Sequence, residues 1–243
     1  MRENTDPEMV RRQMRIMALR RELIAAAFPE SIPDDRTAMP LLPDEAIAAS
    51  LEATLARLGD ERDLWLFAYG SLMWKPDLDI AECRLATLAG WHRRFCLWQW
   101  RYRGTKEQPG LMMALDRGGQ CRGMLYRLPE DTLAAELDRL IRREMSMVPS
   151  AFPWRWVDTI STEGPVKALT FAMNRKSGRY IAHLSDEELA EVLAKAVGHR
   201  GSMAEYLFST VQKLEELGIH DRNLWRLQAL VADRIDAAHP GDD

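Results

Sequence analysis

Apolar and polar positions follow two different rhythms along this chain. Residues 64–69, Leu-Trp-Leu-Phe-Ala-Tyr, form a compact run that reads as a buried strand, ended by a turn at Gly70 and Ser71. Strand character recurs from there to about residue 173. The predicted strands are 84–89 and 91–98, bent near Gly90; 111–115 and 121–128, joined as a hairpin over 116–120; and 154–161 and 166–173, paired around 163–165. One helix, 130–145, interrupts that stretch, with Leu133, Leu137, Leu140 and Ile141 on one face.

On either side the rhythm is helical. Residues 7–28 and 44–58 predict two helices separated by a proline-punctuated linker, with Gly59 stopping the second. Three helices close the chain. Ser185 with Glu188, and Ser202 with Glu205, have capping-box spacing, and the last helix starts near Asp221 and runs toward 235. The layout is therefore a helical extension over 1–60, one domain over 61–236 and a loose tail over 237–243. Grouped hairpins with helices at the flanks point to an α+β domain built on a mostly antiparallel sheet or small barrel.

Composition narrows the function classes. With 243 residues, 47% of them hydrophobic, the chain can bury one sizeable core. A net charge of −4 argues against general nucleic-acid binding. Trp98, Trp100, Trp154 and Trp156 alternate in pairs on strands, which suits a core or pocket wall rather than a base-stacking platform. The three cysteines, Cys83, Cys96 and Cys121, are widely spaced, so neither a disulfide framework nor a structural zinc site is suggested and a reducing cytosol fits. No apolar run is long enough to span a bilayer, and no signal-peptide pattern is present. The arginine-rich amphipathic stretch 9–28 fits a solvated helix face better than a membrane-surface helix, given Glu3, Asp6, Glu8 and Glu22.

Two features carry candidate chemistry. Gly70 permits backbone angles that a side chain would forbid, and such a turn leaves successive N–H groups converging in a nest that suits a carboxylate; the same residues also read as a plain tight turn. Glu144 is the other. It falls on the Leu133–Leu137–Leu140–Ile141 stripe, with Arg142 and Arg143 pointing elsewhere. A carboxylate there is costly unless it is paired or kept for chemistry, and both desolvation and the helix dipole would raise its pKa. The alternative is a frayed helix end, with Glu144 paired to an arginine such as Arg155.

Tyr69-Gly70-Ser71-Leu72 resembles the signature of γ-glutamylcyclotransferases, in particular the ChaC branch. Further marks of that branch recur in order: Trp91-His92-Arg93-Arg94-Phe95-Cys96, Arg103-Gly104-Thr105, Pro109-Gly110-Leu111, Arg143-Glu144-Met145, Glu205-Tyr206-Leu207, Gly218-Ile219-His220-Asp221 and Leu224-Trp225. Tyr-Gly-Ser-Leu alone is a weak signal; the ordered set over residues 64–235 is a strong one. The resemblance implies a small mixed β-barrel with flanking helices. It implies cleavage of glutathione to 5-oxoproline and cysteinylglycine, without metal or organic cofactor. The partner implied is a small-molecule substrate, glutathione, in the cytoplasm; charge and hydropathy add the expectation of no nucleic acid and no integral membrane segment, and a protein partner stays unknown.

The same resemblance assigns roles. Glu144 is the proton relay. The backbone of Tyr69, Gly70, Ser71 and Leu72 holds the glutamyl α-carboxylate or polarises the γ-carbonyl. Tyr206 supplies a hydroxyl, although its helical stripe with Thr210, Leu214 and Leu217 also suits core packing. Arg94 and Arg103 can pair with a substrate carboxylate, although alternating arginines on strands are usually solvated. His92 and His220 read as structural, and Met112 and Met113 as packing. Residues 146–152 and Trp98-Gln99-Trp100 depart from the family pattern, so substrate choice is less defined than reaction type. The alternatives are a cyclotransferase for other γ-glutamyl amides, and a non-catalytic anion-binding module linked to cation transport.

Overall fold

A computed structural model describes residues 17–28, 32–34, 41–58, 63–145 and 150–239. Five strands close into a barrel: β1 (Trp65–Ala68), β2 (Glu82–Gln99), β3 (Gly110–Arg127), β4 (Trp154–Ser161) and β5 (Gly164–Phe171), in the order β1-β3-β2-β4-β5. All four residues of β1 are buried, as the unbroken apolar run requires. The strand runs antiparallel to β3, with Leu66 opposite Tyr126, and parallel to β5, with Leu66 opposite Leu169. Closure through one parallel pair leaves no barrel edge exposed there and makes the barrel mixed, as expected.

The predicted hairpin over 116–120 does not form. β3 runs straight through these residues and pairs with β2 along their length, Ala89 opposite Gln120 and Trp91 opposite Arg117. Between those pairs one residue of β2 faces two of β3, a bulge in which Gly90, Gly118 and Gly119 all take positive φ (78°, 105° and 67°). The glycines that looked like a chain reversal instead bend two long strands together. The other hairpin is as expected, with Gly164 at φ 117° opening β5.

Helices surround the barrel. α1 (Arg21–Ala27) and α2 (Asp44–Leu58) precede it; α3 (Ser71–Trp74) follows β1; α4 (Leu133–Glu144) follows β3; and α5 (Asp186–Lys195), α6 (Met203–Glu216) and α7 (Arg222–Ala238) close the chain. A two-stranded ribbon, β6 (Val197–Gly198) and β7 (Gly201–Ser202), links α5 to α6. Ser185 makes the full reciprocal box with Glu188. Ser202 makes only half of one: its hydroxyl accepts from the Glu205 N–H, while the Glu205 carboxylate turns to Arg103 at 2.8 Å.

The described part of the N-terminal stretch is packed on this body. Leu19 is fully buried and its N–H donates to Gln228 Oε1 at 2.8 Å. α2 seats Leu51, Leu55 and Leu58 on the cluster of Leu64, Leu128, Leu133, Leu137 and Leu169. Of the predicted 7–28 helix, residues 21–27 are helical and 7–16 lie outside the described residues, as do Gly59, 146–149 and the tail from 240.

Candidate active site

β1 ends at the barrel mouth, and the chain turns immediately into α3. Tyr69 is anchored by donating its hydroxyl to the Phe171 carbonyl at 3.0 Å. Gly70 precedes the helix with φ −131°, so its role is not a left-handed turn. It is close approach: a Cβ at position 70 would lie 2.8 Å from the Tyr206 hydroxyl oxygen. That hydroxyl faces both the amide and the side chain of Ser71. The tight reversal therefore brings α6 against the loop, which the sequence pattern could not show.

Tyr206 comes from the first turns of α6. Its ring packs edge-on against Trp74 and Phe95, with centroids 5.8 and 6.0 Å away. Its hydroxyl reaches the loop. Burial, and then the charge of Glu144, push that hydroxyl up to about 12, so it stays protonated. The same influences, burial first and then Tyr206 and Glu144, raise Tyr69.

Leu133, Leu137, Leu140 and Ile141 are buried as the stripe predicts, and Glu144 ends α4 with its side chain only 16% exposed. Its partner is not Arg155. Arg143 does not point elsewhere: its Nε lies 3.0 Å from Glu144 Oε1. The same guanidinium donates to the Pro76 carbonyl at 2.8 Å and reaches Ser71 Oγ at 3.4 Å, so a single side chain ties the acid to the loop. Desolvation raises the Glu144 pKa, and the positive charges of Arg143 and Arg200 only partly offset it.

Tyr69, Gly70, Ser71, Leu72, Arg103, Glu144 and Tyr206 all line one cavity of about 770 Å³. Arg103 lies over the Tyr206 ring at 5.6 Å but is already committed to the Ser202 carbonyl at 2.7 Å and to Glu205 at 2.8 Å. Arg94 is a correction. It stands outside the cavity lining, with Nη1 3.3 Å from Asp116 and Nη2 donating to the Ala182 carbonyl. Asp116, 1% exposed, also accepts from Arg175, Tyr180 and the Arg117 N–H. His92 and His220 bond to the Gly118 carbonyl and Glu215, as structural residues do.

Several cavity residues escaped the sequence reading of the site, Arg143, Arg200, Arg179 and Gln99 among them. Arg143 was discounted by helical phase, although a long side chain can swing back to its neighbour. Arg200, on the turn between β6 and β7, and Arg179, 8% exposed, gave no periodic signal. Gln99 was noted only as a departure; it is 6% exposed, and its Oε1 has no partner. That departure, with Phe152 from the other atypical segment, does line the cavity. A separate groove of about 790 Å³, outside the barrel between α2 and β4, has Asp158 as the one carboxylate in its lining and none of the loop amides. Among the described residues no group of His, Cys, Asp and Glu could hold a metal, and no helix is long and apolar enough to cross a membrane.

A mixed barrel whose mouth joins a tight loop to a desolvated carboxyl defines a cyclotransferase-type protein. Residues 64–234 match the model of the ChaC-like protein family, and the chain belongs to that family. It is 44% identical over 181 residues to the glutathione-specific γ-glutamylcyclotransferase of Escherichia coli, covering 74% of this chain and 78% of that protein. It is 27% identical to the human glutathione-specific γ-glutamylcyclotransferase 1, covering 66% and 73%. The structure of a yeast γ-glutamyl cyclotransferase specific to glutathione has the same fold, with a TM-score of 0.64 at 19% identity over 70% of this chain and 96% of that one.

Proposed function

We propose that the protein cleaves glutathione by cyclising its γ-glutamyl group to 5-oxoproline and releasing cysteinylglycine. The observation that carries this reading is Glu144: a desolvated carboxyl at the end of α4, in the same cavity as the Tyr69–Leu72 loop and the Tyr206 hydroxyl. The names of the relatives in E. coli and human support the substrate. The reaction is intramolecular, so the protein mainly has to hold a folded-back conformer, which can account for about 7–11 kcal/mol of the barrier.

The loop backbone grips the glutamyl α-carboxylate, and Tyr206 donates toward the γ-carbonyl oxygen as charge develops there. Glu144 takes a proton from the α-ammonium. The freed amine attacks the γ-carbonyl carbon, a new C–N bond closes the lactam, and the bond to the cysteine nitrogen breaks. Glu144 returns its proton to that nitrogen, then takes the second proton from the ring nitrogen and passes it to the same departing amine, which leaves a neutral lactam and an ammonium on cysteinylglycine. No water, metal or organic cofactor enters the balance. A carboxyl raised above its ordinary range suits both transfers near neutral pH. Three free thiols, Cys96 and Cys121 among them buried, suit a reducing compartment, and we place the reaction in the cytosol.

Incubating the purified chain with glutathione and following 5-oxoproline and cysteinylglycine tests the reading. Stoichiometric release of both supports it. Turnover of γ-glutamyl amino acids but not glutathione would move the assignment to another γ-glutamyl substrate, and no release from either would remove the activity.

A further inference from the structure

Part of the cavity wall is built by a cluster that the mechanism above does not use. Arg200 sits on the turn between β6 and β7, exposed and lining the cavity. Its guanidinium stacks on the Tyr102 ring at 4.6 Å, and it has no carboxylate partner among the described residues. Of the other guanidiniums on the cavity, Arg143 is held by Glu144 and Asp77, Arg103 by Glu205 and Arg139 by Glu136, while Arg179 is 8% exposed against the open Arg200.

The turn is firmly held. The Arg200 N–H donates to the Tyr102 carbonyl at 2.8 Å, and a Cβ at Gly198 would lie 2.3 Å from that same oxygen. Tyr102 itself takes φ 61°, a left-handed conformation that a tyrosine adopts only when its surroundings impose it. Asp34, from the N-terminal stretch, holds the residues on either side of this contact. Its two oxygens accept from Arg101 Nε and Nη2 at 3.0 and 2.9 Å, and one of them lies 3.1 Å from His199 Nδ1. One carboxylate thus clamps both segments that present Arg200. Burial, opposed by Asp34, lowers the His199 pKa, which leaves Arg200 as the turn's formal charge at neutral pH.

We propose that Arg200 binds the glycine carboxylate of glutathione, and that Asp34 is the positioning residue that sets it there. This rests on the proposed activity. Glutathione brings two carboxylates; the glutamyl one is gripped by the loop, and the leaving dipeptide must extend from Glu144 toward the open side. Two extended residues span about 7 Å, a reach suited to a cavity of this size. An exposed guanidinium on the cavity wall, with no carboxylate partner among the described residues, is the cation in place for the second carboxylate.

The test compares glutathione with its glycine monoethyl ester, which lacks only that charge, using the full chain. The wild type is expected to show a KM about tenfold lower for glutathione than for the ester, at similar kcat. Arg200→Ala should raise KM for glutathione about tenfold and leave KM for the ester within about twofold, so the discrimination in KM disappears. Asp34→Asn should shrink the same discrimination without lowering kcat. If Arg200→Ala raises KM equally for both substrates, the glycine carboxylate is not its ligand and the proposal falls. If Asp34→Asn lowers only the melting temperature and keeps the wild-type discrimination, the positioning role falls. A wild type that turns over neither substrate removes the underlying activity itself, a result distinguishable from both.

Discussion

Two places in this molecule assemble the same chemical groups to opposite ends. At Asp116, on β3, two arginines and a tyrosine surround a carboxylate; at Glu144, on the cavity, two arginines and a tyrosine again stand near one. Burial alone would raise the Asp116 pKa, but hydrogen bonds from Arg175, the Arg117 N–H and Tyr180 outweigh it, and the carboxyl ends below its ordinary range. Glu144 has one guanidinium partner and an open cavity, and burial wins. Inventory does not make a site. A carboxyl whose acceptor positions are filled is a structural fastener; one left with vacant positions facing space can exchange a proton.

The sharpest way to break that comparison is to neutralise each acid in turn. Glu144→Gln is expected to lower kcat about 10²–10⁴-fold with little change in KM, read as 5-oxoproline release. A loss under tenfold would put Glu144 in the same class as Asp116. Next in size, Gly70→Ala should cost about 10²-fold, because its Cβ would displace the Tyr206 hydroxyl that now lies 2.8 Å from that position. Asp116→Asn should leave kcat per folded molecule intact and lower unfolding free energy by about 1–3 kcal/mol in urea titration. Smallest of all, Arg94→Gln should leave KM for glutathione within about twofold, since its partners are Asp116 and Ala182.

The two acids also differ in sign with pH. Glu144 must be ionised to accept a proton, so activity should fall as pH drops through a value above the usual carboxylate range. For stability the direction reverses. A carboxyl raised in the folded state favours folding below its unfolded pKa, and that contribution is lost as pH rises through the folded value. Asp116, depressed in the fold, stabilises above its unfolded pKa and stops doing so as pH falls through its folded one. Melting temperatures of Glu144→Gln and Asp116→Asn should therefore match wild type at low pH and part from it as pH rises, Glu144→Gln above wild type and Asp116→Asn below it.

Much of this was legible in the sequence, for reasons that can be located. The helix bearing Glu144, the strand before Gly70 and the caps at Ser185, Ser202 and Asp221 are local: apolar spacing and one hydrogen bond decide each. The loop, the acid and Tyr206 were named because the ordered family motifs carried them. Residues 116–120 were misread because two glycines serve a turn and a bulge equally well, and only pairing with Gly90 across the ribbon selects the bulge. Arg94 was misplaced because strand alternation says which face a side chain takes, not which neighbour waits there.

What the sequence settled alone was whatever depends on residues within a turn or two of each other: element types, caps, the buried stripe and its terminal carboxyl. Tertiary structure decided what depends on residues far apart. It brought Tyr206 against Gly70 across more than half the chain, gave Arg143 rather than Arg155 to Glu144, filled every acceptor of Asp116, and carried Asp34 to the wall that holds Arg200. Periodicity records which way a side chain faces. Whether its polar atoms find partners or an open cavity is fixed by what the rest of the chain packs against it.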